Sequence, residues 1–212
     1  WIAENLPKGC IIGFDPWLHP VDEIETLRTA LPEVTFKPID NLIDHIWTDQ
    51  SSAPTAAFFA QKINHAGETS REKCVRLAKD LKADCAIITQ PDSIAWLLNI
   101  RGADIERNPV PQAFAIFDKS GTVELFAGAG KTADIADHLG DEVICHDISQ
   151  FADAVGSLEG KVQLDPKTAP EALRLALAGA TIKHAPDPCL LPKAIKNAAE
   201  IAGAKAAAKR DG

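Results

Sequence analysis

Apolar residues along this chain follow two spacings in turn. Short apolar runs that read as buried strands fall at 9–14, 34–37, 84–89, 112–117, 122–126, 142–146, 161–164 and 181–184. Between them, apolar positions recur at helical spacing. The first sets are Ile24, Leu27 and Leu31, then Leu42, Ile43, Ile46 and Trp47. Cys74, Leu77, Ala78 and Leu81 follow, then 91–99, 132–139, the stripe Ile148, Phe151, Ala152 and Val155, and 170–178. The punctuation agrees with the pattern. Pro32 follows the first helix, Thr69-Ser70-Arg71-Glu72 is a capping box, and Pro91-Asp92 opens a helix. Gly140 and Gly179 stand just past helix ends, and Asp118-Lys119-Ser120-Gly121 is a hairpin turn joining 112–117 to 122–126.

Helices alternating with strands predict the α/β class, with sheets covered by helices. The hairpin makes the main sheet mixed rather than purely parallel. Two breaks divide the pattern. Residues 48–68 carry Ser51-Ser52-Ala53-Pro54 with no sustained period and read as a linker. Pro186-Asp187-Pro188 is the second break, after which a final helix is expected from Pro192 through Ile195 and Ile201 into an alanine-rich end. The elements before the linker are too few to close a sheet of their own.

One stretch departs from this regularity. Ile94, Trp96, Leu97, Leu98 and Ile100 are too apolar for a surface segment, yet Arg101, Asp104, Glu106 and Arg107 follow at once. An unpaired buried charge costs several kcal/mol. The turn is therefore expected to face water, another domain or a ligand.

Composition narrows the function classes. Over 212 residues the formal net charge is −8, and Lys and Arg are scattered, which argues against nucleic acid. No apolar run is long enough to span a membrane. Five cysteines at wide spacing, with no CxxC pair, fit free thiols in a reducing cytoplasm; Cys10 and Cys85 sit in strand-like runs as small hydrophobes. There is no methionine, so Trp1 is not expected to be a native start, and the chain reads as an internal piece of a longer protein.

Motifs for self-contained chemistry fail on inspection. Gly128-Ala129-Gly130-Lys131-Thr132 lies between a strand and a helix, but a phosphate loop needs glycine where Leu125 stands. It reads as a plain turn. His19, His45, His65, His138, His146 and His184 show no i, i+4 pair and no HExxH, so no metal site is expected from them. No Gly-x-Ser-x-Gly nucleophile motif occurs.

Several segments, in a fixed order, nevertheless resemble aminopeptidase P, the Xaa-Pro aminopeptidase branch of the creatinase/prolidase "pita-bread" metallopeptidase family. They are Leu6-Pro7-Lys8-Gly9 with Gly13-Phe14-Asp15-Pro16-Trp17, and Asn41-Leu42-Ile43-Asp44 with Ile46-Trp47-Thr48-Asp49. Ile94-Ala95-Trp96-Leu97 follows, with Asn99-Ile100-Arg101-Gly102, Asp104 and Asn108-Pro109-Val110. Lys193-Ala194-Ile195-Lys196-Asn197, Glu200, Gly203 and Arg210-Asp211 complete the set.

The resemblance implies residues 1–66 as the later part of a first creatinase-N-like domain, 67–191 as a complete second one, and 192–212 as the opening helix of a catalytic domain. It implies a parent enzyme, a homodimer, that removes the N-terminal residue from peptides with proline in second position. Two divalent metals, usually manganese, activate water there on ligands outside this chain. The chain itself is expected to hold no metal and no catalytic residue. Arg101, with Asp104 or Glu106 and with Asn108 nearby, is expected at the interdomain face or substrate entrance. The alternative is a stand-alone creatinase-N-like binding module.

Overall fold

The computed structural model describes all residues 1–212. A leading turn of helix, α1 (Ile2–Asn5), precedes β1 (Ile11–Phe14), α2 (Val21–Ala30), β2 (Thr35–Pro38) and α3 (Leu42–Ile46). β3 (Phe59–Ala60), α4 (Ile63–Ala66), α5 (Ser70–Asp80), β4 (Cys85–Ile88), α6 (Pro91–Leu98) and β5 (Ile100–Arg101) follow. The hairpin is β6 (Ala113–Asp118) and β7 (Val123–Ala127). Then come α7 (Ala136–Leu139), β8 (Val143–Asp147), α8 (Phe151–Gly156), β9 (Lys161–Leu164), α9 (Glu171–Ala176) and β10 (Thr181–His184). The chain ends in α10 (Leu190–Ala194) and α11 (Ala198–Asp211).

A six-stranded mixed sheet in the order β10-β9-β4-β6-β7-β8 is the centre of the molecule. β4 joins its two halves, running parallel to β9 and antiparallel to β6. The two-residue period of each strand sends its side chains alternately into two cores. Ala86 and Ile88, Ala113, Ala115 and Phe117, and Val123 and Leu125 pack with α5 and α6 on one face. Cys85 and Ile87, Ile116, and Phe126 pack on the other with Phe151 and Val155 of α8 and Leu173 of α9. Such double burial explains why β4 reads as an unbroken apolar run.

The first unit is small. Phe14, Ile24 and Phe36 alone form its buried core, and β1 and β2 make a two-stranded parallel sheet. Ile11, Leu42, Ile43, Ile46 and Trp47 stay exposed.

The two ends of the chain repeat one another, which the apolar periodicity does not reveal. β1-α2-β2 and β9-α9-β10 are both parallel strand-helix-strand units. Asp15-Pro16-Trp17-Leu18-His19-Pro20 in the first matches Asp165-Pro166-Lys167-Thr168-Ala169-Pro170 in the second. They meet about a local twofold axis at the Pro20–Pro170 bridge. Val21 N–H donates to Ala169 O and Glu171 N–H to His19 O; Asp22 N–H donates to Pro166 O and Ala172 N–H to Pro16 O. After each unit an Asx side chain caps the next turn, Asn41 accepting from Ile43 N–H and Asp187 from Cys189 N–H. The Arg28 and Arg174 guanidiniums both pair with the fully buried Glu171 carboxylate; Arg28 of α2 clamps the units together, and Arg174 holds the carboxylate from within α9.

Two expectations change. The stretch 48–68 is partly structured: Phe58 is buried in the larger core, β3 pairs antiparallel with β5, and α4 follows. The single helix expected from Pro192 is two helices. Ile195 leaves helical geometry at φ −87°, ψ 90°, and Asn197 with Glu200 forms a fresh capping box for α11. Local capping thus overrides a run of helix-favouring residues.

Candidate functional site

The turn after α6 is built on three side chains. α6 has Pro91 in its first turn and buries Ile94, Ala95, Leu97 and Leu98. It ends at Asn99, whose left-handed φ of 51° is one that Asn tolerates better than most residues. The Asn99 amide is fixed at both ends, accepting from Lys73 Nζ at 2.7 Å and donating to Glu68 O at 2.8 Å. Lys73 also donates to Trp96 O at 2.7 Å and lies 4.4 Å over the Trp96 ring. Burial depresses the pKa of its ammonium to about 8, against the upward pull of Glu200 and Glu68.

Arg101 follows on β5. Its Nη1 donates to Ala95 O at 3.1 Å and Ile100 O at 2.8 Å, tying the guanidinium to the end of α6. Burial lowers its pKa, and the nearby Glu200 charge raises it. Gly102 must be glycine, because a Cβ there would meet Val110 O at 2.6 Å. The 102–110 turn closes as a flat loop on that contact.

Asp104 lies elsewhere than the charge pattern led us to expect. Its side chain is fully buried and pairs at 2.5 Å with Lys131, itself only 5% exposed. Lys131 also sits 5.5 Å from the Phe58 ring, and its carbonyl accepts from Phe58 N–H. The Gly128–Lys131 turn, read as plain, is therefore the anchor for both the charged turn and the segment entering β3. Glu106 and Arg107 pair with each other in solvent, and Asn108 is exposed, its N–H donating to Ile105 O.

The segment after β10 completes the site. Lys193 Nζ bonds Asp92 and lies 3.2 Å from Ser93 Oγ. Trp96 Nε1 donates to Glu200 Oε1 at 3.1 Å, and Asn197 Nδ2 donates to Ala66 O at 2.7 Å. These bonds set the start of α11 against α6 and α4. Between them lies an open cleft of about 300 Å³, lined by Asp92, Trp96, Arg101, Val110, Lys196 and Glu200 among others.

No three His, Cys, Asp or Glu side chains gather anywhere in a geometry that holds a metal ion.

Residues 49–200 match the Creatinase/Prolidase N-terminal domain family. The chain belongs to that family. The whole of this creatinase/prolidase N-terminal chain is 34% identical, over 231 aligned residues, to a probable Xaa-Pro aminopeptidase P of Coccidioides posadasii, covering 38% of that protein. It is 32% identical over 227 residues to Xaa-Pro aminopeptidase ApepP of Drosophila melanogaster, covering 37% of it. The chain thus spans under two-fifths of the length of the relatives it matches. The X-prolyl aminopeptidase of Caenorhabditis elegans, described as a cytosolic enzyme with a di-nuclear active site, superposes with a TM-score of 0.83 at 24% identity. That match covers 96% of this chain and 35% of the other, and it shows the shared fold.

Of the residues singled out from sequence, only Arg101 faces the cleft. Asp104 is turned inward to Lys131, so the two do not act as a pair; Glu106 and Asn108 lie on the outer surface of the turn. Lys73, Lys131 and the Trp96–Glu200 bond were not anticipated as parts of the site. The Asn197-x-x-Glu200 spacing, a capping box in the structure, is the local signal that could have revealed the last of these.

Proposed function

We propose that this chain is the noncatalytic N-terminal part of an Xaa-Pro aminopeptidase. In this reading the parent removes the N-terminal residue from peptides with proline in second position. It works in the cytoplasm as a homodimer with two divalent metals, manganese being the family's usual pair, in a catalytic domain outside these residues. No step of that chemistry is assigned to this chain. Its part is to scaffold the catalytic domain and restrict access to it, with the Arg101 turn at the interdomain face or substrate entrance.

The observation that carries this reading is the uncovered connection at the end of the chain. Leu190, Leu191, Ile195 and Ile201 stay exposed, although the first turn of α11 is firmly tied to α4 and α6. Exposed apolar side chains on both sides of a tied segment fit packing against a further domain. Similarity to Xaa-Pro aminopeptidases along the whole chain supports the same assignment.

The boundaries we propose are 1–66 for the first unit, 67–191 for the second and 192–212 for the opening segment of the next domain, with Phe58 and β3 reaching across to pack on the second unit. The internal repeat supports the first unit's being the later half of a second copy of the same fold. The open cleft of about 440 Å³ beside Asp15, Asn41 and His45 then corresponds to the place that α6 fills in the 67–191 unit. There, Ser93 of α6 faces Asp187, the counterpart of Asn41.

The test is to assay the 212-residue chain and the longer polypeptide on Ala-Pro-Ala with manganese. The longer protein should release alanine and this chain should not. Metal-dependent release by the 212-residue chain would overturn the assignment. A longer polypeptide that binds no metal and releases nothing would favour the stand-alone binding module.

A further inference from the structure

We infer that the cleft between α6, the 101–110 turn and the start of α11 is a carboxylate-binding site, with Arg101 as its bidentate donor. The guanidinium supplies the first ground. Both hydrogen bonds of Arg101 run through Nη1, to Ala95 O and Ile100 O. The opposite edge, Nε–H with Nη2–H, makes no hydrogen bond, and no carboxylate stands within ion-pair distance. That side-on edge is the one that matches the two oxygens of a carboxylate. The backbone bonds hold it in place in advance, so a ligand would spend little side-chain entropy.

The neighbouring charges point the same way. Glu200 acts on Arg101 at a distance but makes no ion pair with it. Its Oε1 accepts from Trp96 Nε1 and its Oε2 from Asn197 N–H, which commits both oxygens to holding α11 in place. Asp92 is taken by Lys193. Among the lining cations, Lys193 is paired with Asp92, whereas Arg101 and Lys196 make no ion pair, and Glu200 offsets only one of those two charges. Half-buried and stripped of part of its water, the guanidinium gains more from an incoming anion than an exposed one would.

The remaining walls select the body that carries the anion. Trp96, Ala95, Pro109 and Val110 offer apolar surface beside the guanidinium, in a space of about 300 Å³. This suits a carboxylate on a small apolar group, as at the C-terminus of a short peptide. It suits equally an acidic side chain of a neighbouring part of the polypeptide. The peptide source rests on the aminopeptidase reading above, whereas the site itself does not.

Titration of the isotope-labelled 212-residue chain, followed by NMR at Arg101 Nε–H and Trp96 Nε1–H, tests the site without any catalysis. The probes are Ala-Pro-Ala as the free acid, Ala-Pro-Ala amide, and N-acetyl-glutamate α-amide. Movement of both signals with the free acid and not with the amide supports a peptide C-terminus. Movement with the glutamate side chain alone supports an acidic side chain of the polypeptide. Arg101→Lys keeps the charge but loses the paired donors, and should weaken the responding probe at least tenfold. Lys196→Ala should weaken it less than threefold. No movement with either carboxylate, an equal response to the amide, or unchanged affinity in Arg101→Lys would overturn the inference. None of these results bears on whether the longer protein cleaves Xaa-Pro peptides, so the two readings fail separately.

Discussion

Replacing Lys131 with methionine should do more damage than any surface charge deletion in this chain. The Lys131 ammonium is 5% exposed, the Asp104 carboxylate is fully buried, and they meet at 2.5 Å. Lys131 bonds Oδ2 while Asp104 Oδ1 has no hydrogen-bond partner, so Lys131 is the sole compensation for that charge. Methionine keeps the stem that packs on Gly128, but it leaves a carboxylate buried and alone. Breaking a buried pair in this way costs about 3–5 kcal/mol. Loss of the ammonium beside Phe58 adds about 0.5–1 kcal/mol. Domains of this kind are stable by roughly 5–15 kcal/mol, so the variant should lose at least about a quarter of its stability. The double variant Lys131→Met/Asp104→Asn removes the stranded charge and should recover about 2 kcal/mol or more of the loss. Urea unfolding of wild type, both single variants and the double variant, followed by far-UV circular dichroism, supplies the cycle. A cost below about 1 kcal/mol for Lys131→Met, or strictly additive effects, would show that the pair is hydrated and refute the reasoning.

Three further outcomes are expected. Lys73 has a folded pKa of about 8 against 10.5 for a free lysine, so both states are charged below pH 8 and the burial cost is then carried in full. From pH 8 to 10.5 the folded state releases its proton first, and stability should rise by about 1–3 kcal/mol relative to Lys73→Met, read by urea unfolding across that range. At Glu171, burial pushes the carboxyl pKa up but hydrogen bonds from Arg174 and Arg28 outweigh it, and the net shift is downward. Its contribution is complete above the ordinary carboxylate range and lost as pH falls through the folded pKa, so Glu171→Gln should flatten the acid limb of a Tm–pH profile. At Gly67, φ is 72° and a Cβ would lie 2.5 Å from Asn197 Oδ1 and 2.8 Å from Ala199 Cβ. Gly67→Ala should detach the start of α11, seen as faster amide exchange at Asn197–Ile201 while β4 and β6 keep their protection.

Much of the fold was legible in the chain itself. Strand and helix periods, the Thr69–Glu72 box, the Asp118–Gly121 turn and the glycines past helix ends are local signals, and the elements appear where those signals stand. They identify α/β architecture and a mixed sheet because hydrogen bonding and side-chain direction within one element depend on near neighbours alone. The resemblance to Xaa-Pro aminopeptidases was likewise carried by short ordered motifs.

Charge partners were not legible. The sequence placed Arg101, Asp104, Glu106 and Arg107 in one turn, and nothing local said which would face inward. Folding sends Asp104 to Lys131 on another loop, leaves Glu106 and Arg107 to each other, and keeps Arg101 half-buried with one edge free. Likewise Lys73, an ordinary charged position in a helical stripe, becomes a buried clamp on Asn99 because α5 and α6 pack together. Whether a charge is paired, hydrated or waiting for a ligand depends on distances across the chain. Periodicity fixed the elements, and only their packing decided which of the charged residues between them were left available.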